Sequence, residues 1–280
     1  MTNHTPLTNH TGTATRREVE RPGRRGARRA RVLLAASLVA IGGTAGCGGS
    51  ALESADPGPS TAITVTEPSG GGQDAPPTTS SAQPVGADVA RPAGDVSVLD
   101  APGGTEVRTL TAETDFGSQR ALLITDAQPG WLQVLVPGRP NGLTGWIAEE
   151  GVEVRNVPMG IRVDLTARTL SLNGPDGTML ETPVAIGSPE APTPTGTFSI
   201  TDKLETGDDN SAYGPFALGL SGRSEVLTEF AGGDGQVGIH GTNAPDSIGQ
   251  DVSHGCIRVP NEVIAGLNEL VPLGTPVEIV

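Results

Sequence analysis

Between positions 91 and 156 the apolar residues fall in short runs, at 96–99, 106–110, 121–125, 131–136, 142–147 and 152–155, separated by clusters of Pro, Gly and Asp. Runs this short, some alternating apolar with polar, predict half-buried strands and hence a small all-β module. Pro140-Asn141-Gly142 reads as a hairpin turn, since Asn-Gly accepts the positive φ angles that a tight reversal needs. Trp131 and Trp146 are predicted in or beside the module's core. From position 157 to 280 the period stays near two: Ile161, Val163 and Leu165 alternate with Arg162 and Asp164, and further apolar runs stand at 169–172, 183–186, 197–200 and 216–220. Val237-Gly238-Ile239-His240 and Cys256-Ile257-Arg258-Val259 bracket a loop, and a last run closes the chain at 276–280. One helix stands out, with Asn261 as N-cap, Glu262 in the first turn and Val263, Ile264, Leu267, Leu270 and Val271 on one face. Pro272 and Gly274 end it. The pattern therefore predicts a mainly β chain: a small β-barrel-like module over 91–156, then a β-sandwich-like domain over 157–280 with one convincing helix.

The first ninety residues follow another grammar. Six Arg without an acid between Arg21 and Arg31 precede the ten-residue apolar run 32–41, which is too short to span a bilayer but suits a signal-peptide core. Small residues then lead into Cys47, as in a lipobox, the site where bacterial lipoproteins are diacylated and cut before the Cys; Thr44 stands where that pattern usually has an apolar residue. Residues 1–46 are read as a lipoprotein signal, with cleavage at a nearby small residue or an uncut anchor as the alternatives. Over 48–90, Gly, Pro, Ser, Thr and Ala fill 31 of 43 positions, with five acids, no base and no aromatic residue. Such composition cannot offset its ordering entropy, so 47–90 is expected to be a disordered tether with a mean reach of roughly 35–40 Å. The expected location is the cell envelope, outside the cytoplasm and tied to the plasma membrane by lipid on Cys47.

Charge narrows the partners. Of 18 basic and 32 acidic residues, eight and two lie in the first 46 positions, leaving ten against thirty, or −20, on the remaining 234. That surface repels polyanions and excludes nucleic acid as a partner.

With His4 and His10 lying in the signal, the two other histidines cluster with the Cys other than Cys47. With Cys47 taken by lipid, Cys256 has no disulfide partner in an oxidising compartment, and His240 and His254 both lie within sixteen residues of it. Three readings stay open on the residues alone. In the first, Cys256 is a nucleophile: a thiol of reference pKa roughly 8.5 needs an imidazole to take its proton. His254 in an extended Ser253-His254-Gly255-Cys256 would hold its Cβ about 6–7 Å from that of Cys256, too far for a direct bond, whereas His240 can approach from an adjacent strand. Gly255 removes a side chain where a substrate carbonyl must come close, leaving backbone N–H groups for an oxyanion hole. The second reading is zinc on His240, His254 and Cys256, which lacks a clear fourth ligand. The third is a buried structural Cys with two satisfied histidines.

His240-Gly241-Thr242-Asn243 followed by Ser253-His254-Gly255-Cys256-Ile257-Arg258 resembles the signature of the L,D-transpeptidases of bacterial cell walls. Pro194-Thr195-Gly196-Thr197-Phe198 and Tyr213-Gly214-Pro215-Phe216 are similar to further segments of that family. The resemblance covers roughly 158–280. The 91–156 module resembles a bacterial SH3-like domain in its Trp131 strand, Asn-Gly turn and Gly145-Trp146-Ile147 strand. The family resemblance implies Cys256 as nucleophile, His240 as base, and His254 and Gly255 at the oxyanion-forming turn. It puts Gly241 after the base, where its carbonyl can orient His240, and Arg258 where a substrate carboxylate would be clamped. Residues 203–215, with Tyr213, would form a lid, and no metal or cofactor is implied. The implied reaction attacks a peptidoglycan stem peptide, releases D-Ala, and passes the acyl group to a diamino acid of another stem as a 3→3 cross-link, with carbapenem-type β-lactams as inhibitors. Hydrolysis by an L,D-carboxypeptidase, transfer to a protein Lys, and a non-enzymatic tethered wall-binding module remain the alternatives.

Overall fold

The computed structural model describes residues 85–229 and 233–280; the signal, Cys47 and nearly all of the tether lie outside them. Seven strands, β1 (Ala87–Pro92), β2 (Val96–Leu99), β3 (Glu106–Leu110), β4 (Leu122–Gln128), β5 (Trp131–Leu135), β6 (Thr144–Ala148) and β7 (Val152–Val157), make one antiparallel sheet in the order β3-β2-β6-β5-β4-β1-β7. Val98, Leu110, Leu122, Val134 and Ile147 form its core, Trp146 is buried and Trp131 half-buried. β1 begins inside the stretch assigned to the tether. Its Ala-Asp-Val-Ala-Arg-Pro sequence carries little apolar weight, but it pairs on both sides, with β4 and with β7, and Val89 and Ala90 are buried there. Tertiary pairing overrides a weak local signal. β5 and β6 form a hairpin, but only Gly142 of the Asn-Gly pair takes a positive φ, +76°. Asn141 turns its side chain outward to Arg223.

Ten further strands build the second part: β8 (Gly160–Asp164), β9 (Thr169–Gly174), β10 (Gly177–Pro183), β11 (Ile186–Gly187), β12 (Gly196–Glu205), β13 (Phe216–Arg223), β14 (Gln236–His240), β15 (Asp251–Ser253), β16 (Ile257–Arg258) and β17 (Pro276–Ile279). Eight of them run in the order β10-β9-β8-β17-β12-β13-β14-β16, while β11 and β15 pair separately, in parallel. The long strand β12 serves two half-sheets. Gly196–Ser199 pairs with β17, and from Ile200 to Glu205, across an irregularity between Ile200 and Asp202, the strand pairs with β13. One core lies between the halves, with Val163, Leu170 and Val277 on one side and Leu220, Ile239 and Ile257 on the other. The architecture is mainly β and sandwich-like.

The one α-helix of the described residues, α1 (Asn261–Leu270), lays Ile264 and Leu267 into that core against β13 and β14. Two details differ from the sequence expectation. Pro260, not Asn261, is the N-cap and no side chain caps the helix, so the amide of Asn261 is left for other use. Leu270 is 48% exposed, while Val271, just past the helix end, is fully buried; the helix stops before the periodic pattern does. Lys203 also leaves the expected lid, because it lies in β12 and donates to the Val271 carbonyl at 3.0 Å. The loop proper runs over 206–215.

Candidate active site

β14 and β16 lie side by side in parallel, with Ile239 opposite Ile257 and His240 opposite Arg258, and the Val259 N–H donates to the His240 carbonyl at 2.9 Å. Cys256 stands one residue before this pairing. A chain separation of sixteen residues thus collapses to neighbouring strands, the arrangement by which His240 reaches the thiol's neighbourhood.

The turn before Cys256 is built by Ser253, which is buried. Its Oγ donates to the Cys256 carbonyl at 2.5 Å and accepts the Gly255 N–H at 3.1 Å. Gly255 sits at φ +110°, a conformation nearly closed to other residues, although an added Cβ would meet only ordinary contacts with the carbonyls of Pro192 and Ala191. Conformation, not crowding, requires glycine there. Upstream, Arg168 grips Asp251 of β15 through Nε (2.5 Å) and Nη2 (2.9 Å), and its guanidinium hydrogen bond holds the Asp251 carboxyl below its usual range.

His240 is 4% exposed. Its Nδ1 lies 2.5 Å from the Gly241 carbonyl, which can only accept; Nδ1 therefore carries the proton and Nε2 offers the lone pair. Burial pushes the imidazole down to about 4, the Arg258 guanidinium adding to the effect and the Gly241 hydrogen bond opposing it. Burial raises the Cys256 thiol, against a backbone hydrogen bond from Gly238 and the charge of Arg258. The resting state at neutral pH is then a neutral imidazole beside a neutral thiol, and proton transfer must accompany attack. The Tyr213 ring packs on the His240 ring, centroids 4.8 Å apart and planes at 57°, and its phenol is raised by burial and by the nearby Cys256 charge.

Tyr213 is brought here by a close approach that the sequence did not announce. Gly214, at φ +61°, packs so tightly that a Cβ would come within 2.7 Å of the Gly241 Cα and 2.4 Å of the Asn261 Oδ1. The Asn261 amide accepts the Thr242 N–H at 2.7 Å and donates to the Asp209 carbonyl at 3.2 Å, while Asn243 donates to the Asn210 carbonyl at 3.1 Å. These bonds stitch the 206–215 loop to the residues after His240. We expect Gly214→Ala to cost about 1–3 kcal/mol, as an overpacked and strained position. It should also slow reagents that need His240 more than reagents that need only the thiol, as melting curves and paired rate measurements would show.

Cys256, His240, Tyr213, Gly241, Gly255 and Arg258 thus converge on one corner. Arg258 has a buried Nε with no hydrogen-bond partner, and its Nη1 lies 3.4 Å from the Ser247 hydroxyl. His254 is exposed, and with Cys256, Ser224, Leu227, Gly235, Gln236 and Val237 it lines a small recess of about 20 Å³. A larger cavity, about 160 Å³, lies between the two sheets by Thr114, Arg120, Asp202 and Arg223, and shares only Gln236 with the recess. Among the described residues no three His, Cys, Asp or Glu side chains are grouped to hold a metal. Ser253 and Asn261 escaped the sequence reading. Ser253 lay in the quoted motif without a role, and Asn261 had a plausible local role, whereas its partners are 19 and 52 residues away.

Residues 158–279 match the model of the YkuD L,D-transpeptidase catalytic domain. A putative L,D-transpeptidase YkuD of Bacillus subtilis is 34% identical over 146 residues, 52% of this chain and 73% of the relative. Its counterpart in Bacillus licheniformis is 35% identical over 155 residues, covering 52% and 85%. A solved Enterococcus faecium L,D-transpeptidase, a C442S mutant, is 26% identical with a TM-score of 0.35, over 44% of this chain and 50% of that one. With the match spanning β8 to β17 and most of one relative's length, the chain belongs to the L,D-transpeptidase family.

Proposed function

We propose that the protein cross-links peptidoglycan by a cysteine acyl-enzyme, joining the third residues of two stem peptides. The observation that carries this reading is the His240 Nδ1 contact with the Gly241 carbonyl, which leaves Nε2 as a base on the strand beside Cys256. In the first half-reaction the Cys256 sulfur bonds to the carbonyl carbon between the diamino acid and D-Ala. His240 takes the thiol proton and returns it to the departing D-Ala amine. The Gly255 N–H is taken by the Ser253 hydroxyl, so at this turn the oxyanion falls to the backbone N–H of Cys256. In the second, a diamino-acid amine of another stem attacks the thioester, loses its proton to His240, and the thiol is restored. Tyr213, packed on His240, covers the ring against water, which favours amine over hydrolysis.

Arg258, with a free buried Nε, supplies a charge for a stem carboxylate. We expect Arg258→Ala to raise KM for the donor peptide about tenfold while kcat falls less, as steady-state kinetics would show. The seven-strand module is read as an SH3-like spacer or wall-binding unit, and lipid on Cys47 with the segment after it as the hold on the plasma membrane's outer face. The deciding experiment incubates the protein with a disaccharide tetrapeptide and analyses products by mass. A dimer with released D-Ala supports the proposal; a tripeptide alone makes it an L,D-carboxypeptidase; no product with demonstrated binding leaves a tethered wall-binding module. A transfer to protein Lys would appear as a peptide-modified acceptor.

A further inference from the structure

The hairpin that joins β5 to β6 reaches out of the first sheet and ends on the wall of the Cys256 recess. Arg139, near its tip, donates from Nη1 to the Asp234 carbonyl (2.7 Å) and from Nη2 to the carbonyls of Ser224 (2.8 Å) and Leu227 (2.9 Å). Asn141 accepts the Arg223 N–H and donates to the Arg223 carbonyl, both at 2.8 Å, and the Gly138 N–H donates to the Ser221 carbonyl at 2.9 Å. Three carbonyls from both ends of one loop therefore converge on a single guanidinium, whose planar fork suits several acceptors at once.

Two of the three gripped residues, and the neighbour of the third, stand at the thiol. Ser224, Leu227 and Gly235 line the recess with His254 and Cys256. The Ser224 N–H bonds the Gly235 carbonyl at 2.8 Å, and the Ser224 Oγ accepts the Leu227 N–H at 3.0 Å, so the two ends of the loop are tied to each other as well as to Arg139. Gly235, at φ +75°, has no room for a Cβ, which would lie 2.0 Å from the Leu227 carbonyl and 3.0 Å from the Arg139 guanidinium. The hairpin is itself braced from within its own sheet, because Arg108 of β3 donates to the carbonyls of Pro137 (2.7 Å) and Arg139 (3.0 Å). A chain of contacts thus runs from β3 through the hairpin to the wall over Cys256.

We propose that Arg139 is a positioning residue for the acyl-transfer site: through it the N-terminal module shapes the recess at Cys256 and so takes part in donor binding without touching the donor. This rests on Cys256 being the acyl carrier. An extended ligand must seat against the wall, and a displacement of about 1 Å there can cost up to about a hundredfold in rate. A small thiol reagent has no such need.

The test uses the full chain and two reagents for Cys256, a carbapenem, which must be seated, and iodoacetamide, which need not be. Rates are read by intact mass for wild type, Arg139→Ala, Arg139→Lys, Arg108→Ala, and Arg155→Ala as a control in an exposed pair with Glu153. Arg139→Ala is expected to lower carbapenem kinact/KI about tenfold, mainly through KI, with iodoacetamide alkylation within about twofold of wild type. Arg139→Lys, a single point donor for three carbonyls, should recover only part of the loss, Arg108→Ala should show a smaller defect of the same kind, and Arg155→Ala none. Should Arg139→Ala lose its melting transition, the same comparison in Arg139→Lys decides. Wild-type carbapenem rates in the Arg139 variants, or a loss shared equally by both reagents, would overturn the proposal. A wild-type protein that takes no carbapenem while alkylating normally would instead refute the acyl-enzyme reading beneath it.

Discussion

Cys256→Ser is expected to give no covalent carbapenem adduct under conditions where the wild-type chain takes one, mapped to the peptide containing Cys256. A loss on the order of 10³ or more follows from removing the nucleophile, and the structure says why serine cannot substitute. The base available is His240, lowered to about 4 by burial, and so weak a base depends on the acidity and intrinsic reactivity of its partner. A thiol, even one raised by burial, meets that demand and an alcohol does not. The fold should tolerate the change, since Cys256 is only half-buried and the surrounding turn is held by the Ser253 hydroxyl bonded to backbone, not by the sulfur. Intact mass before and after incubation gives the answer, with a melting curve to confirm that the variant is folded. An adduct of normal stoichiometry on the serine variant would remove Cys256 from the mechanism.

What the sequence could show and what it could not divides along a physical line. Alternation such as Ile161-Arg162-Val163-Asp164 exposes a strand because one face is buried and the other wet, and Ile161 and Val163 are indeed buried in β8. β10 gave no such pattern. It is an edge strand whose Met179 is 53% exposed, so its pairing with β9 and not its composition makes it a strand. The active-site corner follows the same division. His240 and Cys256 were legible because their types are rare in this chain and their spacing fits adjacent strands. The tilted packing of Tyr213 on His240, the approach of Gly214 to Gly241 and the three carbonyls on Arg139 are consequences of packing between distant segments, and nothing local to those residues signals them. Asn261 shows how a correct local rule can misdirect. Asn before an apolar helical run is a good N-cap by statistics, yet here the chain enters through Pro260 and uses the amide to hold Thr242 and Asp209 instead.

Replacing His240 with alanine should slow carbapenem acylation by about 10² to 10⁴, the usual worth of a positioned general base, while leaving some reaction. The pH dependence is the sharper readout. An unperturbed histidine near 6.5 would be protonated below that pH and the rate would fall about tenfold per unit. His240 is lowered to about 4 by burial, so its Nε2 stays unprotonated between 6.5 and about 4, and wild-type kinact/KI should be nearly level from pH 8 down to about pH 5. In His240→Ala no base remains and only spontaneous thiolate reacts. Because burial raises the thiol, that residual rate should climb about tenfold per pH unit through neutrality and beyond. The same shift sets a limit on the acid side. Below 6.5 the unfolded chain binds a proton at His240 that the folded chain refuses down to about 4, so stability falls across that window, and rates at pH 5 are read only where a melting curve shows the native state. A wild-type profile that drops steeply below pH 6.5 would mean that the base titrates in the ordinary histidine range and is not held down by burial, whereas an alanine variant with the wild-type profile merely scaled would mean that His240 does not take the thiol proton. The level profile would follow if a buried, neutral imidazole, fixed in its tautomer by the Gly241 carbonyl, is the base this strand pair was folded to present.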